Sequence, residues 1–444
     1  MSSSRLSLAA LALVATTAVT FFIVEHSLTM STTSESFEST EFVEAEVDSD
    51  VETGSSLRRV AFLAFGGVGG LALALSRRRF DLTHPAVWAA IGLVGWTYLS
   101  AGWSVDSGLT IRRLVVVTLT VIGLLGWTRL LTPEQSVRAI LLIAGGYLAL
   151  GVLCELGLRT FRPWSGLYRF SGTTHPNTQG ILCGILLIGS CVRLAQPRRK
   201  LLWLAVAAAA LLFLYLTKSR TTLGASLIAV AAVFWLRARW PMRVGSLLLG
   251  GLVGSGSLLF ALLFLPDAAD GVTDALLMGR QEEVTTLTGR LPLWAELWHD
   301  FARRPLHGYG YGAFWNPTTL FRVAQNQGWQ IPHSHSGYFE TALNLGLVGL
   351  ALTLFAVGGT LVAAWRTDRR SRSLASGFPI GLVVFAGVYS LADAGFALPT
   401  FASFALAATV LQTPRLRDED DAARFVPPVR AATALSRRDL AGVT

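Results

Sequence analysis

The chain has 444 residues, of which 52% are hydrophobic and only 15% charged, with 43 glycines and a mean hydropathy of +0.51. That apolar share exceeds what water-soluble cores take up and fits repeated membrane spans, so a soluble enzyme, a disordered chain and a secreted disulfide scaffold are excluded together. The formal net charge of +9 does not point to nucleic acid, because the arginines sit in short clusters between apolar runs and so read as topology signals.

The first apolar run, Leu6 to Val24 behind Arg5, is longer than the usual core of a signal peptide and lacks a well-placed small-x-small site, so it reads as an uncleaved signal anchor. From Glu25 to Glu52 there are nine acids and no Lys or Arg, a composition that cannot bury enough apolar surface to fold alone and that predicts a disordered external loop. Further runs follow at Val60 to Ser76, Pro85 to Trp103, Leu114 to Leu131, Ala139 to Leu158, Thr178 to Ala195, Leu201 to Thr217, Thr221 to Leu236, Val244 to Leu265, Tyr338 to Trp365, Phe378 to Leu391 and Phe396 to Gln412. The expectation is an all-α polytopic membrane protein of about twelve transmembrane helices.

With Arg5 in the cytoplasm, alternate loops place Arg77-Arg78-Arg79, Arg198-Arg199-Lys200, Arg237 to Arg243, Arg366 to Arg372 and the Arg-rich tail all inside. The predicted organisation is a signal anchor at 1–24, an acidic external loop at 25–57, helices two to nine within 58–265, a long external loop at 266–336 between helices nine and ten, helices ten to twelve within 337–412, and a basic cytoplasmic tail at 413–444. The place expected for such a protein is the inner (plasma) membrane, with its site on the periplasmic side. Cys154, Cys183 and Cys191 fall in apolar stretches without metal-ligand spacing.

Some basic residues defy the charge rule and fall outside: Arg112, Arg113, Arg159, Arg162, Arg169, Lys218, Arg220, Arg280, Arg290, Arg303, Arg304 and Arg322. Any one can snorkel or pair with a carboxylate. As a set they suit an anionic ligand beside the bilayer, because the guanidinium fork binds phosphate oxygens bidentately. Arg220 sits in the very short turn Thr217-Lys218-Ser219-Arg220, at the depth of a lipid phosphate. Arg290 precedes Trp294 and Trp298 at a predicted helix start, where free amides also favour anions.

Pro332-His333-Ser334-His335-Ser336-Gly337-Tyr338 lies just before another helix. Its His-x-His pair has no third ligand spaced to complete a metal site, so a titratable base is the better reading, an imidazole at a helix N-terminus being biased toward its proton-accepting neutral form. Gly308-Tyr309-Gly310-Tyr311-Gly312 has no preceding strand and no following Lys-Ser/Thr, and reads as a tight turn ordering the loop rather than a nucleotide cradle.

In order, these pieces resemble the O-antigen ligase and polymerase superfamily. The matching segments are Trp103-Ser104-Val105-Asp106 with Ile111-Arg112-Arg113, Ser171-Gly172-Thr173-Thr174-His175-Pro176-Asn177, Lys218-Ser219-Arg220, Gly289-Arg290 with Trp294, Pro305 to Gly310, and His335-Ser336-Gly337-Tyr338 before Leu345-Gly346-Leu347-Val348-Gly349. The first of them looks like the exopolysaccharide-production branch. Two features depart from the family pattern: Ser336 stands where Asn usually follows the motif histidine, and the acidic loop near the N-terminus is additional.

The resemblance implies metal-independent, inverting glycosyl transfer without a cofactor, with an undecaprenyl-pyrophosphate-linked oligosaccharide as donor and a glycan, lipid or protein as acceptor. It makes Arg220 and Arg290 the pyrophosphate ligands and His335 the group that activates the acceptor, with Arg112, Arg113, Arg162, Arg169, His175, Asn177, Lys218 and Tyr338 around the substrate. The bilayer and other polysaccharide assembly proteins are the implied partners. Ligation and polymerisation both fit. A lipid-glycan transporter or flippase is the alternative of another class, but it should show paired halves with broken helices, and no internal repeat stands out. A non-catalytic assembly scaffold is the remaining alternative.

Overall fold

A computed structural model describes residues 3–26, 55–76, 78–166, 168–194, 199–246, 290–328, 331 and 333–416. Outside them lie most of the expected acidic loop, the apolar run Val244 to Leu265 beyond its first three residues, Arg280 and the basic tail beyond residue 416. The described chain is helical without a strand: α1 (Ser3–Glu25), α2 (Ser56–Leu75), α3 (Pro85–Leu99), α4 (Ser107–Leu130), α5 (Pro133–Gly157), α6 (Pro176–Leu194), α7 (Lys200–Leu216), α8 (Arg220–Arg237), α9 (Arg290–Arg303), α10 (Pro317–Gln327), α11 (Gly337–Ser371), α12 (Leu374–Tyr389) and α13 (Phe401–Gln412). Seven of these, α1, α2, α4, α5, α6, α8 and α11, are long and apolar enough to cross a membrane, and α7 and α12 are shorter apolar helices.

Helix starts follow local chemistry. Asp106 caps α4 by accepting the Leu109 amide, and Thr132 with Gln135 forms a capping box ahead of Pro133 at the start of α5. Since lipid tails are as apolar as leucine, the helices associate through close packing. Where α2 crosses α4, a Cβ on Gly69 would lie 2.5 Å from the Gly123 Cα, so only glycine permits that approach. Phe21, Phe65, Trp127, Phe401 and Phe404 fill the neighbouring space between α1, α2, α4 and α13 with tilted and edge-on rings.

One expected span is not continuous. α11 breaks at Gly346, whose φ of 68° and ψ of −171° are far from helical. The backbone groups released by the break are taken up: the Leu347 and Val348 amides donate to the carbonyls of Pro305 and Leu306, and the Trp96 indole donates to the Leu345 carbonyl. A Cβ at Gly346 would sit 2.2 Å from the Leu306 oxygen. The break therefore serves to seat the loop on the helix bundle.

The glycine-rich turn completes this seat. Tyr309 and Gly310 donate their amides to the Leu343 and Asn344 carbonyls, and the Val105 amide donates to Tyr309. Gly308, Gly310 and Gly312 all have positive φ, so the reading as a turn that orders the loop agrees with the geometry.

Charged groups sort by helix end. Arg237 closes α8 and forms a two-pronged ion pair with Asp368 near the end of α11, at 2.7 Å and 2.6 Å. Arg220 opens α8, about 26 Å away along 17 residue steps of 1.5 Å, at the same end as the start of α11. The Arg237 and Arg366 to Arg372 clusters thus share one face, and Arg220 and His335 share the opposite one.

Candidate functional site

The site grows from four chain segments that meet at the Arg220 end. The first is the loop Tyr168 to His175 before α6. Glu155, buried near the end of α5, accepts the Tyr168 hydroxyl at 2.5 Å and the Ser171 and Gly172 amides at 3.0 Å and 2.7 Å. From the other side the His26 ring meets the Thr173 hydroxyl at 2.8 Å, and the Thr174 hydroxyl donates to the Glu25 carbonyl. A loop held on both sides presents Arg169 and Asn177 in fixed positions. Arg169 donates to the Thr217 carbonyl at 3.0 Å and to the Asn177 side-chain oxygen at 3.2 Å. The Asn177 amide continues the chain to Asp393 at 3.4 Å.

The second segment is the turn between α7 and α8. Lys218 takes a left-handed φ of 51° and directs its ammonium to the Gly166 carbonyl. Ser219 precedes Arg220 at the helix start and bonds the Thr222 hydroxyl at 2.7 Å. Thr222 in turn is hydrogen-bonded to the Tyr389 hydroxyl, whose other electrostatic neighbours are Asp393 and Arg290. The starts of α8 and α9 and the end of α12 are brought together in this way.

The third segment carries the histidines. His335 has a left-handed φ of 49°, a conformation a histidine keeps only where its surroundings over-determine it. The surroundings here are specific. Glu340, buried one turn into α11, accepts the Ser334 amide, the Trp315 indole and the Asn344 side-chain amide, each at 3.0 Å. Ser336 caps α11 and donates its hydroxyl to the Ser390 carbonyl, while the Gly337 amide reaches the carbonyls of Ser390 and Asp393. His335 is half-buried with its ring centroid 4.3 Å from that of His333. Burial first, and then electrostatic repulsion by His333, Arg290 and His175, push its pKa down to about 3. The imidazole is therefore neutral at physiological pH.

Arg290 is the fourth contribution, the first residue of α9. α9 is held by the Trp294 indole donating to the Ser334 carbonyl at 2.9 Å. The charged face behind it is closed by Arg322, which binds Glu296 and Asp300 at 2.7 Å each.

The sequence-derived set thus divides. Arg290 and His175 each lie within electrostatic reach of His335, and Arg220, Arg169 and Asn177 adjoin them through Thr222, Thr217 and Asp393. Arg113 donates to the Gly312 carbonyl at 2.7 Å and braces the glycine-rich turn, Arg112 is exposed beside it, and Arg162 is exposed on its loop. The Tyr338 hydroxyl is spent on the Gly387 carbonyl at 2.7 Å and ties α11 to α12. Of the other cations that the sequence reading assigned to the outer face, Arg303 pairs with Asp300, Arg322 pairs as described, and Arg304 lies over the Tyr309 ring.

Sequence reasoning missed Asp393, a buried acid set between two apolar runs, and the supporting carboxylates Glu155 and Glu340. Isolated acids inside or beside apolar segments were the available signal. Among the described residues, no group of three or more His, Cys, Asp or Glu side chains gathers as a metal site.

A family model described as O-antigen ligase matches residues 204–354. That stretch runs from α7 into α11 and contains Arg220, Arg290 and His335. The chain is also 25% identical over 303 residues to the exopolysaccharide production protein ExoQ of Rhizobium meliloti (strain 1021), covering 64% of this chain and 67% of that protein.

Proposed function

Taking this chain as the member of the O-antigen ligase superfamily that the family match and the exopolysaccharide relative support, we propose that it transfers a glycan from an undecaprenyl-pyrophosphate-linked donor to a sugar hydroxyl. The transfer takes place at the outer face of the inner membrane. The relative named for exopolysaccharide production favours polymerisation, with another lipid-linked unit as acceptor, over ligation to lipopolysaccharide. The twelve-span topology is part of this proposal, with Val244 to Leu265 as one span and both faces assigned by the positive-inside rule.

The reading rests most on one observation: a half-buried imidazole at His335, on a residue with a left-handed backbone, within electrostatic reach of Arg290. In the proposed step the acceptor hydroxyl attacks the anomeric carbon opposite the pyrophosphate, which inverts that centre. The bond from the anomeric carbon to the pyrophosphate oxygen breaks, and its electron pair leaves with the pyrophosphate. The hydroxyl proton passes to His335. Negative charge grows on the leaving group, so Arg290 and Arg220 stabilise the transition state more than the ground state. A bound pyrophosphate also offsets the positive charges that depress His335, raising its basicity when the base is needed. No metal takes part in this scheme.

Purified protein incubated with lipid-linked oligosaccharide should release undecaprenyl pyrophosphate and give a longer glycan. His335→Ala should slow transfer about a hundredfold or more with donor binding retained, whereas His333→Ala should be mild. Near-normal transfer by His335→Ala would remove the base role. Movement of intact donor across a vesicle membrane without glycan transfer would favour the flippase reading instead.

A further inference from the structure

A shallow surface groove lies outside the cluster just described. An open groove of about 650 Å³ is lined by Val105, Asp106, Ser107, Asn316, Pro317, Thr318 and Thr319. Its walls are the cap and first turn of α4 and the cap and first turn of α10. The Trp-Ser-x-Asp segment of the sequence supplies one wall, and the transfer chemistry has no use for it.

The lining is chemically selective. Both helix starts are already capped from within, because one Asp106 carboxylate oxygen accepts the Leu109 amide and the Asn316 oxygen accepts the Thr319 amide. The Ser107, Thr318 and Thr319 hydroxyls take no hydrogen bond from the described residues, and neither does the second Asp106 oxygen. The lining contains no Lys, Arg or His, so a carboxylate sits where a phosphate-binding groove needs a cation. Val105 is 43% exposed and, with Pro317, adds small apolar faces. Hydroxyls, one carboxylate and small apolar faces without a cation match a neutral polyhydroxylated chain, whose ring edges donate and accept and whose C–H faces are apolar.

The groove is connected to the histidine loop through rigid contacts. Asn316 follows Trp315, whose indole donates to Glu340, and Glu340 holds the Ser334 amide next to His335. On the other wall Asp106 is two helical turns from Arg113, which braces Gly312 in the same loop.

We propose that this groove is a subsite for a neutral stretch of glycan, several sugars from the reacting end, that guides the acceptor or the growing product away from the site. The assignment rests on the transfer reading above. The absence of an aromatic platform suits a guiding role, since a chain that must advance needs contacts weak enough to release.

Thr318→Trp and Ser107→Trp fill the groove from either wall, and neither side chain is part of the pyrophosphate and histidine cluster. Full-length protein is titrated with lipid-free glycan cleaved from the producing cells' own polymer, and is turned over with lipid-linked donor. The parental protein should bind the lipid-free glycan, and each variant should bind it at least fivefold more weakly. The variants should also make products at least threefold shorter, while pyrophosphate release per first transfer stays within twofold of parental. Parental protein that binds the glycan but transfers nothing would sink the transfer reading and leave the groove assignment standing. Variants that bind the glycan and extend it as the parental protein does would overturn the groove. So would parental protein that transfers but shows no glycan binding and no change in product length on filling the groove.

Discussion

The two ends of the helix bundle use the same residue types in opposite ways. At the end carrying Arg237, guanidinium groups close onto carboxylates: Arg237 on Asp368 with Ser376 donating to the same acid at 2.8 Å, and Arg138 and Arg193 on Glu134. At the other end Arg290 gathers with His175, His333 and His335, with Asp393 beside them. One end locks its guanidinium groups onto carboxylates, and the other gathers arginines and histidines around Asp393. Closed ion pairs hold helices in register, whereas a gathering of guanidinium and imidazole groups suits an arriving anion. The backbone divides in the same way: α11 is regular through its Asp368 end and broken at Gly346, near the histidines.

The largest expected effect tests the arginines at the histidine end. Arg290→Lys and Arg220→Lys keep a cation but lose the planar fork, so transfer should fall about a hundredfold while membrane insertion is normal. The measurement is turnover of lipid-linked glycan by protein matched for folded amount. Parental turnover in both variants would reduce these arginines to interfacial anchors.

The converse test is at the ion-paired end. Arg237→Ala leaves Asp368 buried without its ion pair and should cost about 3–5 kcal/mol of stability. Chemistry per folded molecule should change little, because Arg237 lies a helix length from His335. Thermal unfolding in detergent alongside specific activity separates the two. A variant as stable as the parental protein, or one with an altered rate per folded molecule, would show that the ends are not divided as described.

Much of this division was legible in the sequence. Long apolar runs marked the helices, and short arginine clusters marked one face, because both signals are local. The partner of each charge was not legible. Arg322, for example, is paired with Glu296 and Asp300 on the neighbouring helix α9, contacts spaced by 26 and 22 residues that no periodicity predicts. The break in α11 was hidden for a related reason. Leu345-Gly346-Leu347 continues an apolar pattern, and the groups that sustain the break, Trp96 and the Pro305 and Leu306 carbonyls, come from distant segments. Asp393 was passed over because it lies in the short link between two apolar runs, where an acid ordinarily faces water. Here it is buried against Asn177 and the start of α11.

The finest test of the comparison is a proton. The His335 pKa of about 3 lies below the ordinary 6.5 because burial first, and then the neighbouring His333, Arg290 and His175, oppose its charge. The unfolded chain therefore binds a proton that the ligand-free fold resists, so stability is present above pH 6.5 and is lost progressively as pH falls from 6.5 toward 3. Inorganic pyrophosphate bound at Arg290 would offset that repulsion and raise the His335 pKa. A shift of one unit corresponds to about 1.4 kcal/mol, or tenfold in affinity between the two protonation states. By linkage, protonation of His335 should tighten pyrophosphate binding by about that factor as pH falls through the raised pKa. Pyrophosphate itself also titrates in this range, so the measured quantity is the difference between the parental protein and His335→Gln in titrations from pH 7 down to pH 2.5. The imidazole resonance, followed by NMR in the same samples, should titrate at higher pH with pyrophosphate than without. Parallel binding curves for the two proteins, together with an unmoved imidazole titration, would place the anion elsewhere than beside His335.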